Sequence, residues 1–295
     1  MKKIILAHFS LFIANLIYAI NYSFAKDVMP DYITPSGFIL LRVIGAFILF
    51  SIVYYIFIKE KIEKEDILRL SACGLFGVAI NQLLFFEGLN LTTPINAAIV
   101  MTVNPVLVIL LSFIIIKDPI TIRKSFGIIL GLFGASFLIL QAGNLEFLHS
   151  HFKGNLLVLI NATSYGVYLV IVKPMMKKYH PITVMYVVFG MGLLYVFPFG
   201  INDLLDVEWN LIPYTVNMQI FFVVFFTTFV AYLCNSLALQ YLKPTTVSTY
   251  IYLQPVLATA FAIFWGSDFL DSKKIIAAAF IFLGVYLVST RNKSK

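Results

Sequence analysis

One apolar stretch occurs twice in this chain, and each copy carries a proline near its middle. The first copy runs from residue 86 to 139 and the second from 236 to 288, at an offset of 150 residues. The landmarks that coincide are Pro94 with Pro244, Asn104-Pro105 with Gln254-Pro255, Asp118 with Asp268, and Gly134 with Gly284. Landmarks in the same order without a gap predict an internal repeat, so the fold is built from two similar units.

The two mid-span prolines, Pro105 and Pro255, predict a break in each apolar segment. A proline within a helix removes one backbone donor and leaves the carbonyl four residues earlier without its usual partner. In lipid such a carbonyl is tolerated only where protein or a wet cavity receives it. A carboxamide precedes each proline directly, Asn104 in the first copy and Gln254 in the second. Broken helices at matching positions of two halves indicate the binding site of a membrane transporter.

Composition places the whole chain in the membrane. Of its 295 residues 61% are hydrophobic and 12% are charged, whereas soluble domains carry roughly 25% charged residues. The deficit extends over the full length, with a mean hydropathy of +0.94. We therefore predict an all-α, polytopic membrane protein. The net charge of +7 follows membrane topology, which argues against nucleic acid as a partner.

The apolar pattern predicts ten transmembrane helices, since one crossing needs about 20 residues. They lie near residues 4–25, 34–58, 67–90, 95–116, 124–142, 154–173, 181–201, 217–241, 245–266 and 273–290. The repeat divides them into two five-helix units, residues 1–146 and 147–295. The first span resembles a signal peptide, but it also has a repeat partner, because Tyr18 and Lys26 match Tyr165 and Lys173 at an offset of 147.

The distribution of lysine and arginine predicts the orientation. If the N-terminus is cytoplasmic, sixteen of the 21 basic residues lie inside, four lie outside, and Arg42 lies within a span. Basic residues concentrate on the cytoplasmic side of membrane proteins, so we expect both termini to face the cytoplasm from a cell membrane. Because five helices form each half, the second half enters from the opposite side. The repeat is predicted to be inverted, which suits alternating access around a midplane site.

Uncharged polar side chains occur near the middle of several spans. The predicted substrate-binding residues are Asn15, Asn104, Asn161, Tyr165, Tyr250 and Gln254. Further mid-span polar residues are Asn81, Gln82, Ser164, Thr227 and Thr228. Together they mark helices 1, 3, 4, 6, 8 and 9 as an inner set around a cavity, with helices 2, 5, 7 and 10 outside. The alternative for any one residue is a hydrogen bond that only joins two helices.

Two charged residues lie inside spans, Arg42 in the second helix and Glu87 in the third. Charges within a membrane usually face a cavity or a partner. Their similar depth permits a pair between Arg42 and Glu87. Such a pair could be purely structural, could form a gate or a substrate contact, or could leave Glu87 to couple transport to protons. The repeat places Leu237 at the position of Glu87, so coupling by this acid would be confined to one half.

The first copy, FEGLNLTTPINAAIVMTVNPVLVILLSFIIIKDPIT, resembles the EamA-type repeat of the drug/metabolite transporter superfamily. The landmarks that carry the resemblance are Gly88-Leu89, Thr92-Thr93, Ala97-Ala98, Pro105 and Asp118, then Ala238-Leu239, Pro255, Asp268 and Gly284 in the second copy. Arg42 lies where this family typically has an arginine. The second copy departs by having Ser248-Thr249 in place of Ala98-Ile99. The resemblance implies ten helices in inverted halves and the export of small metabolites, amino acids or drugs.

A secondary transporter is thus the leading interpretation, with a small-molecule substrate and no cofactor. No nucleotide-binding loop of the GxxxxGK[ST] type is present, so transport would be downhill or coupled to protons or other ions. A passive channel is one alternative. Another is an intramembrane lipid-modifying enzyme, for which the acidic pairs Asp203/Asp206 and Asp268/Asp271 could bind a metal–diphosphate. The chain shows no pattern of catalytic or metal-binding residues beyond these pairs. The glycines Gly127 and Gly131 suit close helix packing, within one bundle or in a homodimer.

Overall fold

A computed structural model describes residues 2–141, 152–264 and 271–289, and all regular elements in these ranges are helices. Five come from the first repeat: α1 (Lys2–Val28), α2 (Pro35–Ile58), α3 (Lys64–Leu91), α4 (Pro94–Met101 and Asn104–Ile116) and α5 (Ile122–Gln141). Five come from the second: α6 (Phe152–Lys178), α7 (Pro181–Leu205), α8 (Tyr214–Tyr241), α9 (Pro244–Thr249 and Leu253–Phe264, joined by the 3₁₀ turn Tyr250–Tyr252) and α10 (Ser272–Ser289). A short 3₁₀ turn, Trp209–Leu211, precedes α8.

Eight helices in the described ranges are long and apolar enough to cross a membrane. They are α1, α2, α3, the segment 96–116 of α4, α6, α7, α8 and α10. The two other predicted spans coincide with α5, which has 20 residues, and with α9, which is divided into short pieces. The prediction of an all-α, polytopic membrane protein is confirmed.

Helix starts follow local sequence signals. Proline occupies the first position of α2, α4, α7 and α9, where its missing N–H costs nothing. The hydroxyl of Thr34 accepts a hydrogen bond from the backbone N–H of Gly37 at 3.3 Å. Thr93 does the same for Asn96 at 3.1 Å. At the other end of α4, Lys117 adopts a left-handed conformation with φ of 55° and ends the helix.

Two pairs of counterpart helices, α5/α10 and α2/α7, pack directly against each other and run antiparallel. A Cβ added at Gly127 would lie 2.9 Å from the carbonyl oxygen of Gly284, and one added at Gly134 would lie 2.8 Å from that of Ala277. Residue numbers therefore rise along α5 as they fall along α10. This close approach needs glycine on both sides and lies within one chain, rather than between protomers.

The pair α2/α7 shows the same relation. Ser36 and Thr34, at the start of α2, donate hydrogen bonds to Asp203 near the end of α7. At the other end of α2, the Tyr54 ring stacks on Tyr186 with centroids 4.5 Å apart. Counterpart helices that run in opposite directions are what an inverted repeat requires.

The remaining helix contacts also map onto one another when the two repeats are exchanged. The α1/α8 contact corresponds to α3/α6, and the contact of α6 with α4 corresponds to that of α1 with α9. These helices surround the centre of the bundle. Large apolar side chains such as Phe113, Ile114, Phe126 and Ile129 are exposed on α4 and α5, as expected for a surface that faces lipid.

Candidate functional site

A cavity lies at the centre of the bundle, where the two repeats meet. Seven helices contribute to it, namely α1, α2, α3, α4, α6, α8 and α9. Its polar lining consists of Asn15, Tyr18, Asn21, Tyr22, Arg42, Asn81, Gln82, Asn161, Tyr165, Thr227, Tyr232, Asn235 and Gln254. Its apolar lining consists of Phe85, Phe86, Met101, Val247 and Ile251. The cavity has a volume of about 90 Å³, which is room for several waters or a small solute.

Helical periodicity brings these side chains to one wall of each helix. On α1, Asn15, Tyr18 and Tyr22 follow a spacing of three and four residues, which is one face of an α-helix. On α8, Tyr232 and Asn235 are three residues apart. On these two helices the polar side chains that line the cavity therefore form a stripe along one face.

Hydrogen bonds fix one side of the cavity to the broken helix α9. The Nε2 of Gln254 donates to the Oδ1 of Asn15 at 3.0 Å. The Tyr22 hydroxyl donates to the Oε1 of Gln254 at 3.4 Å. Gln254 thus holds two residues of α1 in place directly beside the α9 break.

A second network joins α3, α6 and α8. The Nε2 of Gln82 donates to the Tyr232 hydroxyl at 3.2 Å, and that hydroxyl lies 3.2 Å from the Oδ1 of Asn81. The Nδ2 of Asn161 donates to the backbone carbonyl of Asn81 at 2.6 Å. On the neighbouring wall, the Nδ2 of Asn235 donates to the Tyr18 hydroxyl at 3.1 Å. Groups held in this way are oriented before any solute arrives.

Several buried polar atoms of the lining have no hydrogen-bond partner among the described residues. They are Oδ1 of Asn21, Nη1 of Arg42, Oε1 of Gln82, Oδ1 of Asn161 and Oγ1 of Thr227. Buried polar groups are nearly always paired, because an unpaired one costs free energy. Buried atoms of residues away from the cavity, such as Oδ1 of Asn104 and Oγ of Ser112, also have no partner among the described residues, so the unpaired atoms by themselves do not mark the cavity as a binding site.

Four of the six predicted substrate-binding residues line the cavity: Asn15, Asn161, Tyr165 and Gln254. Asn104 and Tyr250 do not. Asn104 is fully buried, and its Nδ2 donates to the backbone carbonyl of Ala162 at 2.6 Å. The Tyr250 hydroxyl lies 2.7 Å from the Nδ1 of His8. Both side chains join helices, which is the alternative that the sequence left open.

Arg42 lines the cavity, but within the described chain it forms no ion pair with Glu87. Its Nε donates to the Oγ1 of Thr228 at 2.9 Å, and its guanidinium carbon lies 4.2 Å from the ring centroid of Phe86. Adjacent residues on a helix point about 100° apart. With Phe86 against the arginine, Glu87 points elsewhere and does not line the cavity. Arg42 is also the contribution of α2, a helix that the sequence placed in the outer set.

Five polar lining residues are absent from the set that the sequence predicts for the cavity, namely Tyr18, Asn21, Tyr22, Tyr232 and Asn235. Tyr22 and Asn235 extend stripes that the sequence does contain, since they follow Tyr18 and Tyr232 at helical spacings. A search by helix face, rather than by depth in the span, would have found both. The five apolar lining residues carry no such signal, because phenylalanine and valine are common on every face of these helices.

The acidic pairs suggested an enzyme, but Asp203 and Asp271 accept hydrogen bonds from residues at the starts of helices. Asp203 accepts hydrogen bonds from Thr34 and Ser36. Asp271 accepts one from the backbone N–H of Lys274 at 2.7 Å. Asp268 lies outside the described residues. In the parts of the chain that the structure describes, no cluster of three or more metal-ligating side chains occurs.

The chain is similar over nearly its whole length to proteins that are described as transporters. The sequence profile of the EamA-like transporter family matches residues 5–140 and again residues 152–290. A protein of Archaeoglobus fulgidus, described as an uncharacterized transporter, is 27% identical over 288 residues, covering 96% of this chain and 97% of the relative. YyaM of Bacillus subtilis, described in the same words, is 25% identical over 290 residues, covering 96% and 94%. A solved crystal structure with 18% identity shares the fold, with a TM-score of 0.76 over 96% of both chains.

Proposed function

Because the chain belongs to the EamA-like transporter family, we propose that it is a secondary transporter that carries a small polar solute through the central cavity. The observation that carries this proposal is the lining of that cavity, in which both repeats take part and 13 of 18 residues are polar. A cavity of this kind suits a small metabolite, an amino acid or a drug-like solute, and the resemblance to exporters favours outward transport.

Alternating access is the mechanism that the architecture supports best. Antiparallel packing of counterpart helices lets the bundle open toward one side or the other with similar contacts. The asymmetry of basic residues in the sequence supports a cell-membrane location with both termini in the cytoplasm. The networks of Gln254 and Tyr232 would then hold the solute while one end of the bundle closes and the other opens.

The first experiment is metabolite profiling of the medium from cells that overproduce the protein, beside cells that produce Gln82→Leu at the same level. Gln82 is buried and lines the cavity, so replacing it with leucine should reduce the release of specific solutes. Gln219→Leu is the matched control, because Gln219 bonds Asp27 outside the cavity. The same metabolite concentrations in the medium of all strains, including cells without the protein, would contradict export.

Reconstituted vesicles separate a transporter from a channel. A solute found by profiling should show counterflow, in which unlabelled solute inside the vesicle accelerates entry of labelled solute. A channel gives flux that rises in proportion to concentration and shows no such acceleration. Chemical change of the solute or of a lipid during the assay would instead support an enzyme.

A further inference from the structure

Arg42 places a buried positive charge in the wall of the cavity. Arg42 is only 3% exposed. Its guanidinium lies between Thr228 and the ring of Phe86. Both neighbours are uncharged. The hydroxyl and the ring orient the guanidinium, but neither neutralises it.

The cavity offers this cation no counter-ion. None of the described residues that line it is acidic, and no carboxylate of the described chain lies within ion-pair distance of Arg42. The Nη1 atom, moreover, is buried without a hydrogen-bond partner. Charges inside membranes and proteins are costly unless an opposite charge and hydrogen bonds compensate them. A bound anion would supply both.

We propose that the cavity binds a small organic solute through a carboxylate that pairs with Arg42. The inference rests on the proposed transport function and specifies its substrate class. The planar guanidinium matches a carboxylate in geometry and forms strong charge-assisted hydrogen bonds with it. Arg42 is the single cationic residue among the described lining residues, which suits a solute with one negative group better than a phosphate dianion.

The rest of the cavity specifies the remainder of the solute. The unpartnered amide oxygens of Asn21, Gln82 and Asn161 can accept hydrogen bonds from an amino, hydroxyl or amide N–H group of the solute. The rings of Tyr165 and Phe85 line the same space and can pack against an apolar body. The expected solute is a carboxylate with a short body that carries few further charges.

The test uses four compounds of similar shape: isocaproate, isocaproamide, leucine and leucinamide. The purified full chain is heated in detergent with each compound, and the melting temperature is recorded. Isocaproate or leucine should raise the melting temperature, and the two amides, which lack the carboxylate, should not. If leucine alone acts, the solute also carries an ammonium group. An amide that stabilises as well as its acid, or no stabilisation by either acid, overturns the proposal.

Variants then assign the effect to Arg42. Arg42→Gln should weaken binding of the stabilising acid about tenfold or more, since a hydrogen bond to a charged group is lost. Arg42→Lys keeps the charge and should retain part of the binding, so it serves if Arg42→Gln does not fold. Arg69→Gln removes an exposed arginine outside the cavity and should bind as the unaltered chain does. Unchanged binding in both Arg42 variants overturns the assignment.

The two proposals fail separately. If an acid stabilises the protein through Arg42 but reconstituted vesicles show no counterflow, binding stands and transport fails. If vesicles transport a solute without a carboxylate and Arg42→Gln leaves that transport unchanged, transport stands and the substrate class fails.

Discussion

The two helix breaks occupy matching positions of the repeat, yet the structure uses them differently. At the α9 break, Gln254 faces the cavity and bonds Asn15 and Tyr22. At the α4 break, Asn104 is sealed against the backbone of α6 through Ala162. Both carboxamides join helices, but Gln254 also lines the cavity whereas Asn104 does not. The two breaks carry different carboxamides, Asn104 and Gln254, so the repeat does not require them to make the same contacts.

Two lysines at the edge of the bundle, Lys26 and Lys173, also occupy matching positions of the repeat and make different contacts. Lys26 on α1 donates to the carbonyls of Leu89 and Asn90 at the end of α3, each at 3.1 Å. Its counterpart Lys173 on α6 donates to the carbonyls of Leu239, Gln240 and Leu242 at the end of α8. Each lysine satisfies the carbonyls that a helix leaves free at its C-terminus. Lys173 is the more deeply buried of the two and makes three such bonds, whereas Lys26 makes two.

The largest expected effect concerns this lysine pair. Lys173→Met should destabilise the protein by about 2 kcal/mol, because several carbonyls lose a charged donor. Lys26→Met, the matched control at the counterpart position, should cost about half as much. Thermal unfolding of both variants in detergent measures the difference. Equal losses would show that the two ends are equivalent in solution.

The next effect separates the two breaks by function. Gln254→Leu should lower the transport rate of the identified solute about tenfold, since the cavity loses a polar group and the bonds that orient Asn15 and Tyr22. Counterflow in vesicles is the measurement, with protein amount held constant. A variant that transports normally would remove Gln254 from the site.

Asn104→Leu should affect stability instead. It leaves the buried carbonyl of Ala162 without its donor, at a cost of about 1 kcal/mol, which lies between the values for aqueous proteins and for membranes. Melting in detergent should report this loss, while vesicles that contain the folded variant should transport within about twofold of the unaltered chain. A strong transport defect at normal stability would return Asn104 to the substrate site.

The smallest effect concerns Asp118, the repeat landmark that links the halves. Its carboxylate bonds Lys124 at 2.7 Å and Lys243, just before α9, at 2.6 Å. Burial raises the pKa of Asp118, but the hydrogen bonds from the two lysines outweigh it and hold the pKa below its usual value. Its stabilisation should be present above the ordinary carboxyl pKa of about 3.9 and be lost as pH falls through the lowered folded-state pKa.

Asp118→Asn should therefore cost about 0.5 kcal/mol near neutral pH, since Lys243 is largely exposed. The difference from the unaltered chain should vanish in acid. Chemical unfolding at two pH values measures it. A difference that persists when the carboxyl is protonated would mean that packing, and not the ion pairs, accounts for the loss.

Much of the architecture followed from sequence because lipid imposes simple rules. Apolar segments of spanning length must be helices whose backbone groups bond internally, so the spans and the repeat were visible without coordinates. Pro105 and Pro255 marked the interrupted helices. The inner set of helices was also largely correct, because buried carboxamides in apolar segments are rare and need polar surroundings.

Tertiary packing decided which of those polar groups meet. Whether Asn104 faces a cavity or a neighbouring carbonyl depends on how α4 is rotated about its axis, and in the structure its side chain donates to Ala162 on α6. Arg42 and Glu87 lie at similar depths, but depth leaves open which way each points, and Phe86 took the place beside the arginine. Sequence by itself determined the spans, the repeat and the polar stripes, since these depend on composition and period. The structure decided the contacts between stripes, because each helix can rotate and shift within the same topology until its side chains pack.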